Sequence, residues 1–357
     1  MKKKKVYLTL QNGDVFQGYR FGAEGTAIGE LVFSTGMVGY IETLTDPSNY
    51  GQIVVQTFPL IGNYGVMRSD VESEKTWVSA YIVREYCGQP SNFRMEETLD
   101  DYLKSEGVIG IYGIDTRELT RILRENGTMN AYISDKPGDV DVIDDIAEYR
   151  IKDAVKTVAS KTQKIYENTQ AKYTVALWNF GAKNSSINSL LARGCKVISM
   201  PYSATAEEIL ALNADGVIIS DGPGDPMENQ LEIAEIKKVM GKKPMLGVGL
   251  GHQLMALSQG ARVYKQKCGH RGGNQPVKCV DCGKVYISTQ NHSYTVDEDT
   301  IAVGRIKFFN VNDNTCEGIE YEDKKAFSIQ FAPESCDAGN IENPIYEKFF
   351  ALMKKEN

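Results

Sequence analysis

The hydrophobic positions in the second half of the chain form short runs that alternate with amphipathic stretches. Four apolar runs are typical of buried strands, and they cover residues 175–178, 196–200, 216–220 and 244–248. The stretches that follow them have helical periodicity, and they cover residues 184–193, 205–212, 231–240 and 252–259. Strands and helices alternating at this spacing predict parallel pairing with right-handed crossovers. We therefore expect a doubly wound, mostly parallel α/β sheet from residue 173 to residue 357.

The first half of the chain has a different pattern. Short strand-like runs at 6–10, 31–34 and 53–57 are separated by Gly, Pro, Asn and Asp, which favour turns. One helix is predicted over residues 116–125, because its leucines and isoleucine share a face and Asn126-Gly127 forms a good C-cap. Residues 1–135 are thus predicted to form a β-rich α/β domain. The polar segment 136–172 is predicted to be a connector that carries a helix.

Composition limits the classes of function. A chain of 357 residues is long enough for two domains, and a net charge of −7 argues against a general nucleic-acid role. No apolar run approaches the roughly 20 residues that a membrane span needs. The seven cysteines are scattered, which fits reduced thiols better than a disulfide framework. We expect a cytoplasmic protein that does not bind membranes.

The segment Gly247–Gln253 has the form of a nucleophile turn without its nucleophile. A strand, a tight turn flanked by glycines and a helix form the geometry that lifts a reactive side chain above a parallel sheet. Glycine stands at the central position, Gly249. Covalent catalysis from this position is excluded.

Other polar segments are expected near this turn, because ligands bind at the carboxyl ends of parallel strands. Gly222 and Gly224 follow the third predicted strand, where their backbone N–H groups can approach a ligand closely. Leu250 offers a second backbone N–H for an oxyanion. Two further segments join them: residues 289–294, after a predicted strand at 284–288, and residues 330–334, after one at 326–329.

Together these segments resemble the class I glutamine amidotransferases, whose triad is Cys, His and Glu. In that family the turn reads Gly-x-Cys-x-Gly-His-Gln, and a later motif reads His-Pro-Glu. Here the cysteine position is Gly249, the histidine position is Ala332, and Glu334 remains. Four more segments resemble the small subunits of carbamoyl phosphate synthetase; they are residues 29–40, 44–48, 114–121 and 269–277.

The resemblance implies a subunit that hydrolyses glutamine and passes ammonia through a tunnel to a large partner. That ATP-using partner makes carbamoyl phosphate, for arginine or pyrimidine synthesis, from ammonia, bicarbonate and ATP. No cofactor is implied in this chain, since ATP and its metal ions belong to the large subunit. By position, glutamine would contact Ser48, Gly222, Gly224, Leu250, Gln253, Asn291, Ser293 and Tyr294. Ser293 stands where the family usually has glycine.

Two of the three triad positions are substituted, so we expect hydrolysis to be lost or severely impaired. His252, His270 and His292 lie in motifs where the resemblance implies structural roles, so none replaces the missing base. Three hypotheses stay open. The chain is a regulatory module that binds glutamine without hydrolysing it, a glutaminase with another nucleophile such as Cys336, or a silent small subunit. Under the last of these, Gly249→Cys together with Ala332→His is expected to restore hydrolysis.

A separate group of residues raises the question of a metal. Cys268, His270, Cys279 and Cys282 are all residue types that bind zinc. The Cys268-x-His270 spacing is unusual for zinc, and the resemblance places the Cys279 and Cys282 pair on a hairpin. We predict reduced thiols at that hairpin and no bound metal.

Overall fold

The computed structural model describes residues 4–137, 140–336 and 343–354. The chain divides into two compact units, Met1–Lys152 and Asp153–Asn357, called here the N-terminal and C-terminal units. The division falls inside the segment 136–172 that the sequence predicts to be a connector. That segment contains two helices and a strand, α4 (Val140–Glu148), α5 (Ala154–Val158) and β10 (Lys164–Tyr166).

The N-terminal unit is built around a barrel of short strands. Its strands are β1 (Lys5–Leu10), β2 (Val15–Gly22), β3 (Ala27–Ser34), β4 (Gln52–Gln56), β5 (Leu60–Ile61), β6 (Ala80–Val83), β7 (Glu85–Tyr86), β8 (Ile109–Tyr112) and β9 (Met129–Ser134). Its helices, besides α4, are α1 (Tyr40–Thr45), α2 (Leu99–Ser105) and α3 (Thr116–Asn126).

Seven strands close the barrel, in the order β1-β2-β8-β6-β4-β3-β9. Strands β3, β4, β6 and β8 run parallel to one another in that series, and the other pairs are antiparallel. Apolar side chains such as Leu8, Ile53 and Ile111 are fully buried and belong to the main apolar cluster of the unit. Burying such side chains is the chief favourable contribution to folding.

The sequence correctly predicts α3. Asp115 precedes the helix, and its side chain accepts hydrogen bonds from the backbone N–H groups of Arg117 and Glu118, each at 3.1 Å. The helix ends at Asn126, and the C-cap residue Gly127 has a φ of 94°, which suits glycine. Leu119 and Leu123 are buried against the barrel, as the periodicity predicts.

The C-terminal unit contains one large sheet with helices. After α5 and β10, its strands are β11 (Tyr173–Asn179), β12 (Cys195–Pro201), β13 (Gly216–Ile219), β14 (Met245–Val248), β15 (Val263–Cys279), β16 (Val285–Val296), β17 (Arg305–Asn310), β18 (Cys316–Tyr321) and β19 (Ala326–Ile329). Its further helices are α6 (Asn184–Ala192), α7 (Ala206–Ala211), α8 (Gln230–Val239), α9 (Leu250–Ser258) and α10 (Pro344–Met353).

The ten strands of this sheet are ordered β10-β12-β11-β13-β14-β19-β18-β16-β15-β17. The five strands from β12 to β19 in this order pair in parallel, which confirms the doubly wound fold predicted from the pattern. The pairings beyond β19 are antiparallel and dominated by the long hairpin of β15 and β16. The sheet is therefore mixed, with its parallel part at the position of the Gly249 turn.

One predicted strand boundary is wrong. The sequence places the polar residues 289–294 after a strand that ends at 288, but β16 continues to Val296. Its buried positions Ser288, Gln290 and His292 alternate along the strand, although all three are polar. The Ser288 hydroxyl donates to the carbonyl of Gln275 at 3.0 Å, and the hydrogen bonds of Gln290 and His292 are described below, so the polar run is strand and not loop. In the part of the chain that the structure describes, no helix is both long and apolar enough to cross a membrane.

Candidate functional site

Three neighbouring parallel strands bring the predicted site segments together. Strands β13, β14 and β19 lie side by side, so the loops at their carboxyl ends share one edge. The backbone N–H of Gly249 donates to the carbonyl of Ile329 at 2.9 Å, and that of Gly251 donates to the carbonyl of Ser220 at 3.1 Å. The Gly249 turn is thus tied to both flanking strands.

The Gly249 turn has the backbone geometry that its sequence predicts. Gly249 directly precedes α9 and has φ 55° and ψ −112°, a combination that residues with a side chain rarely adopt. A strained backbone at such a turn is a usual property of sites that expose a reactive side chain. Here the geometry persists and glycine adopts it without that strain.

Asp221 occupies the space beside this glycine. Its Oδ1 accepts a hydrogen bond from the backbone N–H of Gly222 at 2.8 Å and another from that of Leu250 at 2.9 Å. A Cβ on Gly249 would lie against the Asp221 carboxylate, well inside the 3.0 Å that Cβ atoms keep. The two N–H groups that the sequence suggests as oxyanion donors thus bind a carboxylate of the same chain.

The sequence places Asp221 in the correct loop but assigns it no role. A signal was present, because an acidic residue stands next to one predicted oxyanion donor while the nucleophile position is glycine. What the sequence does not give is the side-chain direction that carries this carboxylate across to Leu250, 29 residues away.

Close packing explains the two glycines of the loop. A Cβ on Gly222 would lie 2.5 Å from the carbonyl oxygen of Phe180, and one on Gly224 would lie 2.6 Å from Cβ of Ala154. Gly224 also has φ 87°, in the region that favours glycine. Both positions therefore need glycine for the fold of the loop, whether or not a ligand binds there.

Two of the remaining predicted glutamine contacts of the C-terminal unit, Gln253 and Tyr294, are connected to each other. Gln253 Nε2 donates to the carbonyl of Tyr294 at 2.8 Å and to Oε1 of Gln330 at 3.0 Å. The hydroxyl of Tyr294 donates to Asp225 at 3.1 Å, which joins β16 to the loop after β13. These contacts connect β16 to α9 and to the loop after β13.

Asn291 and Ser293 lie on β16, in the same run of residues as Tyr294. Asn291 pairs with Arg271 across the β15–β16 hairpin. The hydroxyl of Ser293 accepts a hydrogen bond from the Arg271 guanidinium at 2.5 Å. The serine that replaces the family's glycine is thus held by a buried arginine.

Ser48 belongs to the N-terminal unit. It is buried in a short 3₁₀ helix, Pro47–Asn49, and its backbone N–H donates to the Asp46 carboxylate at 2.8 Å. Proline at the first helical position and an aspartate cap are the expected start of such a turn.

The last position of the triad has a different partner from the one the family implies. Glu334 lies in the 3₁₀ helix Pro333–Cys336, and its Oε1 accepts a hydrogen bond from the hydroxyl of Tyr346 on α10 at 2.8 Å. Ala332 offers only a methyl group, and its backbone N–H donates to the carbonyl of Thr289. Glu334 therefore contacts a phenol, a partner that the sequence does not predict.

The three histidines have partners within the fold. His252 is buried, with Nδ1 2.8 Å from the hydroxyl of Ser328, and burial lowers its pKa to about 3. His292 contacts Gln290 and the carbonyl of Tyr294, and burial holds its pKa well below the usual value. A neutral imidazole is the form expected for both at neutral pH.

His270 differs from the other two because acids surround it. Its Nε2 lies 2.8 Å from Asp313, and its Nδ1 lies 3.2 Å from Glu317, which is fully buried. Burial alone would lower the pKa of His270, but the two carboxylates outweigh burial and raise it to about 9. Gln290 and Asn310 also donate to Glu317, so the buried acid has several hydrogen bonds.

Within residues 4–137, 140–336 and 343–354, one group of three side chains has ligand atoms close enough for a metal. It consists of His270, His292 and Glu317, whose atoms lie within 4.8 Å of one another. Each of them has the protein partners just described. The four zinc-type ligands suggested by the sequence do not form such a group in this part of the chain.

The cysteines occupy several environments. Cys279 is buried, and burial together with the hydrogen bond that its thiol donates to Cys282 raises its pKa. Cys282 is exposed, and the same hydrogen bond lowers its pKa. Cys336 is partly buried and packs against the apolar cluster that contains Phe331 and Ile345.

Comparisons with known families cover both units. Residues 8–133 match the family described as carbamoyl-phosphate synthase small chain, CPSase domain, and residues 176–352 match glutamine amidotransferase class-I. The carbamoyl phosphate synthase small chain of Bacillus caldolyticus is 44% identical, over 99% of this chain and 98% of its own length. That of Clostridium perfringens is 45% identical, over 97% and 98%.

Among solved structures, a glutamine amidotransferase from Thermotoga maritima is similar at 21% identity and a TM-score of 0.37. The similarity covers 45% of this chain and 75% of that one.

Proposed function

The chain belongs to the carbamoyl phosphate synthase small-chain family, and we propose that it is a small subunit whose glutaminase is silent. In this role it binds a large ATP-using subunit that makes carbamoyl phosphate from bicarbonate, ATP and free ammonia. It supports that partner by docking, by closing the mouth of the ammonia tunnel or by tuning the activity of the partner. The expected location is the cytoplasm, and the expected product serves arginine or pyrimidine synthesis.

The observation that carries the proposal is the turn at Gly249. The amidotransferase reaction needs a thiolate that attacks the carboxamide and a base that moves the proton to the leaving ammonia. The turn retains its geometry but carries no nucleophile. Ala332 cannot accept or donate a proton through its methyl group. Losing one triad member typically costs on the order of 10⁴-fold in rate, and two are absent here.

The environment of the remaining triad residue supports the same conclusion. Glu334 orients the catalytic histidine in the family, but here it accepts a hydrogen bond from Tyr346. None of the three histidines is available as a substitute, because each is engaged with Ser328, with Gln290 and Tyr294, or with Asp313 and Glu317. Cys336 is partly buried and packs against an apolar cluster, and the histidines, the usual bases for a catalytic cysteine, have the other partners just named.

The test is a choice of nitrogen donor in the reconstituted complex. The chain is assembled with the large subunit of the same organism, and carbamoyl phosphate formation is measured with ammonium and with glutamine. We expect turnover with ammonium and none with glutamine above the rate that contaminating ammonia supports. Carbamoyl phosphate formation by the large subunit alone, with ammonium, is the control that shows how much this chain raises the rate. Equal turnover with the two donors would show that the glutaminase is active.

A further inference from the structure

We propose that the Asp221 carboxylate is an internal occupant of the glutamine site, so that this subunit does not bind glutamine. The inference deepens the proposed function and rests on it. It distinguishes a subunit that holds glutamine without cleaving it from one whose site is filled by its own side chain.

The hydrogen bonds of Asp221 are those that a reacting carboxamide would require. An oxyanion is stabilised by backbone N–H groups that converge on one oxygen at about 2.7–3.1 Å. Asp221 Oδ1 meets the N–H groups of Gly222 and Leu250 at 2.8 and 2.9 Å, within that range. A substrate oxygen would have to displace a negatively charged acceptor, and charged acceptors form stronger hydrogen bonds than neutral carbonyls.

The position of Asp221 also favours a negative charge. Leu250 is the first residue of α9, so its N–H is one of the backbone donors that helical hydrogen bonding leaves without a partner. The positive end of the helix dipole lies at the same place and attracts anions. No side chain on residue 249 competes for this position, because that residue is glycine.

Asp221 and Gly249 therefore depend on each other. Any side chain on residue 249 would start in the space that the carboxylate fills. The carbonyl of Phe180 lies so close to Gly222 that a side chain does not fit there either. The carboxylate in this position is compatible with glycine at 249 and incompatible with a cysteine there.

The experiment is calorimetric titration of the full chain with L-glutamine. We compare the wild type with Asp221→Ala and with a matched control, Asp115→Ala, which also removes a carboxylate from two backbone N–H groups at a helix start. We expect Asp221→Ala to bind glutamine at least tenfold more tightly than the wild type. The control should bind no better than the wild type.

Two results would overturn the inference. One is tight binding of glutamine by the wild type, and the other is a folded Asp221→Ala that binds glutamine no better than the wild type. If Asp221→Ala does not fold, Asp221→Asn takes its place in the titration. Tight binding of glutamine by the wild type contradicts the inference in either case. A wild type that binds glutamine but supports no glutamine-dependent turnover would refute this inference and leave the proposed function standing.

Discussion

The helices α3 and α9 both begin beside a carboxylate, but the carboxylates come from different distances along the chain. Asp115 immediately precedes α3 and caps it with two local hydrogen bonds. At α9 the preceding residue is Gly249, and the carboxylate comes from Asp221, 29 residues before Leu250. The first contact stabilises one helix end. The second also connects the carboxyl ends of two strands and fills the space in which a side chain on residue 249 would begin.

The two carboxylates therefore affect different properties of the protein. Removing a local cap weakens one helix by about 1 kcal/mol and changes little else. A distant carboxylate at a site edge affects which side chains and ligands fit there. Variants at the two helix starts test this difference. The largest expected effect is on the rate of glutamine hydrolysis.

Restoring the triad should require the release of Asp221. The Gly249→Cys, Ala332→His double variant puts back a thiol and a base, but its new side chain at position 249 and the Asp221 carboxylate compete for the same space beside the two oxyanion donors. We expect the triple variant with Asp221→Ala to hydrolyse glutamine at least about 10²-fold faster than the double variant, since losing oxyanion donors costs roughly that much. Glutamate release measures the rate.

A matched control for this comparison adds Asp115→Ala to the double variant, and it should gain nothing. A double variant as active as the triple would show that Asp221 moves aside freely. The two-residue restoration expected from sequence alone would then be sufficient.

A methyl group at the turn should be costly for stability. We expect Gly249→Ala to lower the free energy of unfolding by about 2–4 kcal/mol, because it adds backbone strain and displaces the Asp221 carboxylate. Urea denaturation of the variant and the wild type measures this change.

Combining Gly249→Ala with Asp221→Ala should recover part of this loss of stability. The stability effects of substitutions at two residues in contact do not simply add. A double variant whose cost equals the sum of the two single costs would argue that the residues do not interact.

The smallest effect is expected at α3. Asp115→Ala should lower the free energy of unfolding by about 1 kcal/mol, while Asp115→Asn, which can still cap, should recover most of it. The same denaturation experiment measures both variants. If Asp115→Ala lowered the free energy of unfolding as much as Gly249→Ala does, the local and the distant carboxylate would not differ in their effect on stability.

The sequence predicts the parts of the fold that depend on local patterns. The helix over 116–125 and the strands and helices between 173 and 259 follow from periodicity and turn residues, and the structure places them within a few residues of their predicted limits. The amidotransferase turn is also local, so its geometry and its missing side chain can be predicted from Gly247–Gly251.

What the sequence does not predict depends on contacts between distant residues. The extension of β16 through Asn291 is missed because its buried side chains are polar, and their burial depends on Glu317 from another strand. The contact of Glu334 with Tyr346 and that of Asp221 with Leu250 are missed for the same reason, because each joins different elements of the fold. In each case a polar side chain has a partner that only the folded chain brings near.

The acids around His270 make the stability of the C-terminal unit depend on pH. With its pKa raised to about 9, folded His270 holds a proton that the unfolded chain releases near pH 6.5. Its contribution to stability is complete below about pH 6.5 and disappears as the pH rises through about 9. The antiparallel half of the sheet, which carries His270, Glu317 and Asp313, is thus stabilised by a bound proton and weakens in mild alkali.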